Sequence, residues 1–183
     1  MYSEAQRNLL KQIALDAIQY GLQHHKPKPI DPGNYDSELR EQRASFVTLK
    51  INNQLRGCIG RLQAERPLVE DVAENAYSAA FRDPRFSALN EKEFSQLDVH
   101  ISVLEQPVNL DVDSEQALTD KLQPGIDGVI LSAGHKRGTF LPSVWESLPK
   151  ASEFVRQLKI KAGLPAQGWS NEYRVQTYRV EEF

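Results

Sequence analysis

Residues 46–60 constrain the fold more than any other stretch of the chain. Phe46-Val47-Thr48-Leu49-Lys50-Ile51 is a run of β-formers, Asn52-Asn53 tolerates positive φ, and Leu55-Arg56-Gly57-Cys58-Ile59-Gly60 reads as the returning strand. This order predicts an antiparallel hairpin closed by a two-residue turn. Strand alternation puts Leu55, Gly57 and Ile59 on one face and Arg56, Cys58 and Gly60 on the other.

Helical signals flank the hairpin. Ser3 with Gln6 makes a capping box, and Leu9, Leu10, Ile13, Ala14, Ala17, Ile18 and Leu22 recur at helical spacing. Pro27, Pro29 and Pro32-Gly33 end that helix and predict an ordered loop. Pro67 opens a second helix with the stripe Leu68, Val72, Ala73, Ala76, Tyr77 and Ala80, which Asp83-Pro84 stops. A short turn over 91–96 precedes a strand over 98–104, with Val99, Ile101 and Val103 on one face and His100 and Ser102 on the other. Asp113 or Ser114 caps a helix running to Leu122. Residues 129–131 and 139–141 read as strands joined by a hairpin loop over 134–138. Helices follow over 143–148 and 151–162, with Gly163 just past the second, and 173–180 reads as one last strand. Single strands and hairpins interspersed with helices, without a regular βαβ rhythm, predict an α+β fold with a mainly antiparallel sheet and surrounding helices.

Composition narrows the function classes. With 183 residues, 40% of them hydrophobic, the chain can bury a core without staples. Its 22 Lys and Arg against 25 Asp and Glu leave a net charge of −3, which argues against a nucleic-acid coat. One cysteine rules out an intramolecular disulfide and a cysteine-rich metal site. No apolar run reaches a membrane span and no signal-peptide pattern follows Met1, so the expected location is the cytoplasm. No GxGxxG, Walker, GxSxG or HExxH pattern occurs, so no cofactor or metal is expected.

Chemistry concentrates in two segments. In Leu55–Gly60, two glycines within a short strand need a bend or a close approach, and they bracket an arginine and the only cysteine. A guanidinium beside a thiol favours the thiolate, so the segment reads as a nucleophile in a cleft or as a buried cysteine beside a structural arginine. In Phe81-Arg82-Asp83-Pro84-Arg85-Phe86, two arginines flank a turn and read as an anion clamp or as a helix stop with local ion pairs. His100 is a candidate general base for Cys58, or an ordinary strand histidine. The basic tip 134–138 is a solvated turn or a contact for an anionic partner. Trp145 and Trp169 read as core or lobe-interface anchors.

Leu55–Gly60, Arg66-Pro67-Leu68, Ala80–Phe86, Ile101–Leu104, Pro124–Gly128, Thr139–Pro142 with Val144-Trp145-Glu146, and Lys161–Leu164 together resemble the AMMECR domain family, in that family's order and over nearly the whole chain. Its prokaryotic members are also called AmmeMemoRadiSam system protein A. The resemblance implies two unequal subdomains around a cleft, the larger holding both termini and an antiparallel sheet, the smaller inserted. It implies a cleft lined by Leu55, Arg56, Gly57, Ile59 and Gly60. Arg82, Asp83, Arg85 and Thr139 are further candidate substrate-binding residues. The family has no assigned reaction, and its members associate with a Memo-like protein and a radical-SAM protein. The chain is therefore expected to be an accessory or substrate-binding component of such a modification system, holding a large peptide or protein ligand. The alternative is a cysteine-dependent enzyme with Cys58 as nucleophile and Arg56 activating it. The role of His100 comes from the local reading alone, since relatives carry an acidic residue there.

Overall fold

The hairpin forms where the sequence places it. In a computed structural model describing Met1–Phe183, β1 (Ala44–Ile51) runs antiparallel to β2 (Gln54–Gly60), and Asn52 and Asn53 take φ of 53° and 62°. Positive φ at both central residues marks the turn whose twist matches a hairpin. β1 also pairs with β3 (Asp98–Leu104), and β3 with β8 (Val180–Glu182), giving the sheet order β2-β1-β3-β8.

The hairpin ladder slips once. Leu49 faces Gly57 but Lys50 faces Leu55, so Arg56 is an extra residue on β2, a β-bulge. Counted evenly from the turn, Cys58 would sit opposite the fully buried Val47. The bulge sets it opposite Thr48 instead. Cys58 still shares a face with Gly60, and Gly57 with Ile59. Leu55 and Arg56 depart from the predicted alternation because the extra residue intervenes.

The chain divides into two compact units, Met1–Leu104 with Glu181–Phe183, and Glu105–Val180. In the first, α1 (Glu4–His24) and α2 (Leu68–Phe81) bury one face of the sheet. Leu10, Ile13 and Ile18 of α1 share a core with Val72, Val47, Leu49 and Ile101. Leu9, predicted inward, is 39% exposed. The proline-rich segment is ordered through two 3-10 turns, Pro32–Asn34 and Ser37–Arg40, and buries Leu39. Asp71 ties α2 to β1: its Oδ2 accepts from the Ser45 N–H and hydroxyl and from Asn75 Nδ2. Burial still pushes the Asp71 carboxyl above its ordinary range. A single turn, α3 (Glu91–Phe94), starts at an Asn90–Glu93 capping box.

The second unit carries its own antiparallel sheet, β4 (Val108–Asn109), β7 (Arg174–Tyr178), β5 (Gly128–Ala133) and β6 (Lys136–Phe140), in that spatial order. α4 (Glu115–Lys121) and α5 (Ala151–Lys161) supply Leu118, Phe154 and Leu158 to its core. Trp145 stacks on Phe154 at 3.8 Å and 5°, and its indole N–H donates to the Asp127 carbonyl at 2.8 Å. Trp145 is thus a core anchor; Trp169 packs edge-on against Tyr173.

Three predicted elements change. The helix expected over 143–148 is a 3-10 helix, Pro142–Glu146. The loop 134–138 shrinks to Gly134-His135, because Lys136 already pairs with Ala133 and Gly134 takes φ 58°. The single last strand becomes β7 and β8, which belong to different sheets. Alternation is a local signal and does not report which neighbour a strand pairs with. No helix is long and apolar enough to cross a membrane.

Candidate functional site

Cys58 lies on the sheet face turned away from α1 and α2, because its partner Thr48 alternates with the buried Val47 and Leu49. The thiol is half-buried, and the Thr48 hydroxyl donates to Sγ at 3.2 Å. β2 is an edge strand, yet its main chain at Cys58 is not left open. The Cys58 N–H donates to Asp83 Oδ2 at 2.9 Å, and its carbonyl accepts from Arg85 Nη2 at 3.3 Å. Asp83 also accepts from the Arg85 N–H, Nε and Nη2 at 3.1, 3.0 and 2.8 Å. One carboxylate and one guanidinium thus stand in for a neighbouring strand, a way of closing an edge against foreign pairing. Asp83 is buried, with its side chain 2% exposed. The Arg85 side chain, then the N–H groups of Cys58 and Arg85, hold its carboxyl well below the usual carboxylate range.

Arg56 makes a second clamp. Its Nε and Nη2 donate to the two Glu93 oxygens at 2.8 and 3.1 Å, and Nη2 donates to the Ser87 carbonyl at 2.8 Å. Arg56 lowers the Glu93 carboxyl in turn. The two clamps fasten segment 83–93 along β2. The glycines answer to close approach rather than bending. A Cβ on Gly57 would lie 2.2 Å from the Ala79 carbonyl oxygen of α2, and one on Gly60 would lie 2.3 Å from the Phe46 ring.

The remaining candidates separate. Ile59 packs toward the core, and Leu55 is 44% exposed. Arg82 pairs with Glu74 at 3.2 Å and lies 4.8 Å over the Tyr77 ring, while Arg85 is bound to Asp83. The two arginines are engaged separately rather than as one clamp. His100 pairs across from Thr48 on the far side from Cys58, two strand spacings or about 10 Å away. Its Nε2 is 2.8 Å from Asp98 Oδ2. Direct proton transfer needs hydrogen-bond reach, so His100 is not placed to deprotonate Cys58. Arg56, read as the thiol's activator, is committed to Glu93, and the guanidinium beside Cys58 belongs to Arg85. Thr139 lies in the second unit, 3.2 Å from the Tyr178 hydroxyl, which donates to the Phe140 carbonyl. Burial raises the Tyr178 phenol above its ordinary value. No group of three His, Cys, Asp or Glu side chains could hold a metal ion.

Sequence reasoning missed Thr48 and Glu93. Thr48 meets Cys58 only because of the bulge, which no residue type announces. Glu93 had a signal as the third residue of a capping box, but nothing in the chain order linked it to Arg56.

The low Asp83 carboxyl makes a pH prediction. A group depressed in the folded state contributes stability that is complete above its unfolded value, near 4, and is lost as pH falls below it. The stability gap between the native protein and Asp83→Asn, read by urea unfolding, is expected to be full at about pH 6 and to shrink steadily toward about pH 2. A gap that stays constant over that range would mean that the charge on Asp83 is not what holds β2.

The sequence profile of the AMMECR1 family matches residues 11–183. A protein of Methanothermobacter thermautotrophicus is 36% identical over 183 residues, covering 97% of this chain and 92% of its own length. A Thermotoga maritima protein is 35% identical over 160 residues, covering 85% of this chain and 87% of its own. Among solved structures, an uncharacterised protein from Pyrococcus horikoshii superposes with a TM-score of 0.77 at 32% identity, covering 95% of this chain and 88% of that one.

Proposed function

This chain belongs to the AMMECR1 family, and we propose that it serves as a binding component of a cytoplasmic modification system that includes a Memo-like protein and a radical-SAM protein. It holds a peptide or protein segment against the face of β1, β2 and β3 that carries Thr48, Cys58 and His100. The observation that carries this reading is the double clamp on β2: Asp83 and Arg85 at Cys58, and Glu93 at Arg56, make the strand a rigid wall. A rigid, half-buried polar face with one thiol suits recognition, since preorganised surfaces lose less entropy on binding.

A second reading keeps Cys58 as a nucleophile. What favours it is a half-buried thiol whose Sγ accepts from the Thr48 hydroxyl and whose main-chain carbonyl accepts from the Arg85 guanidinium.

Co-purification tests the first reading. The tagged protein, expressed at native level in its own host, is expected to retain the Memo-like and radical-SAM proteins in both native and Cys58→Ser forms. Thr48→Arg, which places a long side chain on the proposed face, is expected to release them. Absence of both partners from the native protein would overturn the binding reading. Intact complexes with Cys58→Ser, combined with loss of the system's product, would move the assignment to the nucleophile.

A further inference from the structure

We propose that the second unit carries a strand-docking site along β4, where unpaired main-chain groups of residues 109–111 border two adjoining cavities, and that it takes an extended peptide bearing a basic residue. All of its residues lie within 105–180, in the second unit, and none is on the strands that carry Cys58.

The register defines the open edge. Val108 pairs with Thr177 and Asn109 with Gln176, and the Leu110 N–H donates to the Val175 carbonyl at 2.9 Å. Bonded and non-bonded pairs alternate in an antiparallel ladder. Asn109 and Asp111 therefore turn their N–H and C=O groups away from β7. Lys121 Nζ occupies the Asp111 carbonyl at 2.8 Å. The Asn109 N–H, the Asn109 carbonyl and the Asp111 N–H have no partner in the protein, and they have the spacing that a neighbouring strand would meet.

Cavities of about 860 and 260 Å³ border this edge and share Leu110 and Lys121. The larger is lined by Asn109, Asp111, Asp113 and Arg174, the smaller by Val108 and Thr177. Alternate side chains of an added strand would enter them in turn, as in other strand-addition complexes. Val108 is 67% exposed and offers apolar contact at the edge.

The charge pattern selects the occupant. Lys121 and Arg174 direct their bonds to carbonyls, of Asp111 and of Asn171 and Tyr173. The Asp111 and Asp113 carboxylates make no ion pair although they line the same cavity. An incoming Lys or Arg would supply one. β4 is two residues long and follows Pro107, too short and too interrupted for two folded copies to pair edge to edge, whereas a flexible strand can follow it.

The test is selection of phage-displayed linear dodecapeptides on the whole protein, followed by affinity measurement and amide chemical-shift mapping. Asn109→Pro removes the outward N–H at a position whose N–H takes no part in the β7 ladder, so the pairing survives. Recovered peptides are expected to carry Lys or Arg, to shift amides within 108–113 and 173–176, and to bind roughly tenfold more weakly to Asn109→Pro. Asp111→Asn combined with Asp113→Asn keeps the edge and is expected to weaken basic peptides alone, which covers the case in which the proline variant misfolds. Equal affinity for all three proteins would overturn the site. So would failure to enrich any peptide, or self-association of the protein that Asn109→Pro abolishes. Shifts confined to β1–β3 would overturn it while supporting the Cys58 face as the peptide site.

Discussion

Glu115→Ala is expected to destabilise the protein by about 3–5 kcal/mol, while Lys159→Met changes stability by about 1 kcal/mol. Lys159 on α5 has no exposed surface. Its ammonium donates to the Glu115 carboxylate at the start of α4 and to the Gly168 carbonyl at 3.1 Å. Removing Glu115 leaves a buried cation with a single neutral partner, the Gly168 carbonyl. Replacing Lys159 by methionine removes that cation and fills the same volume. The Glu115 side chain, 33% exposed, can then be hydrated. The cost left is one carbonyl without its donor. Urea unfolding of both variants measures the difference. Equal losses would show that pair formation, rather than desolvation of Lys159, dominates here.

Gly57→Val should be the most damaging single substitution in the Leu55–Gly60 segment, at roughly 3 kcal/mol or more. The new Cβ would lie 2.2 Å from the Ala79 carbonyl oxygen and 3.0 Å from its carbon. Both are backbone atoms of a helix packed in the core, so neither can swing aside. β2 cannot move away either, because Asp83 and Glu93 clamp it on both sides of Gly57. Gly134→Ala is the control. Nothing lies within 4 Å of its added Cβ, and its φ of 58° leaves only backbone strain of about 1 kcal/mol. Thermal unfolding of the two variants separates steric overlap from strain. A Gly57→Val protein as stable as Gly134→Ala would mean that β2 can lift off α2, and the rigid-wall argument for the Cys58 face would fall with it.

Much of the local structure was legible in the chain. The Ser3–Gln6 capping box, the Asn52-Asn53 turn, a helix cap at Asp113 or Ser114 (taken by Ser114) and the positive φ of Gly163 all stand where residue chemistry puts them. Each depends on contacts a few residues apart, so the causes lie next to the effects. The candidate site was legible only in part. Leu55–Gly60 and Phe81–Phe86 were recognisable as unusual, and they do meet, at Cys58, Asp83 and Arg85. Their partnership spans 25 residues between Cys58 and Asp83, and sequence distance carries no record of it.

By itself, then, the sequence determined most of the element types, the turn that closes the first hairpin, and the family likeness; that the two glycines answer to close approach came from the packing. Tertiary structure decided the rest. Packing against α2 and the bulge at Arg56 turned Cys58 toward Thr48 instead of Val47. Strand pairing divided 174–182 between two sheets. Segment 83–93 converted two suspected ligand-binding arginines into clamps, with Arg85 bound to Asp83 and Arg56 to Glu93. The physical reason is the range of the forces. Caps and turns arise from local backbone chemistry, whereas register, edge closure and the facing of a side chain are set by which distant surfaces exclude water together.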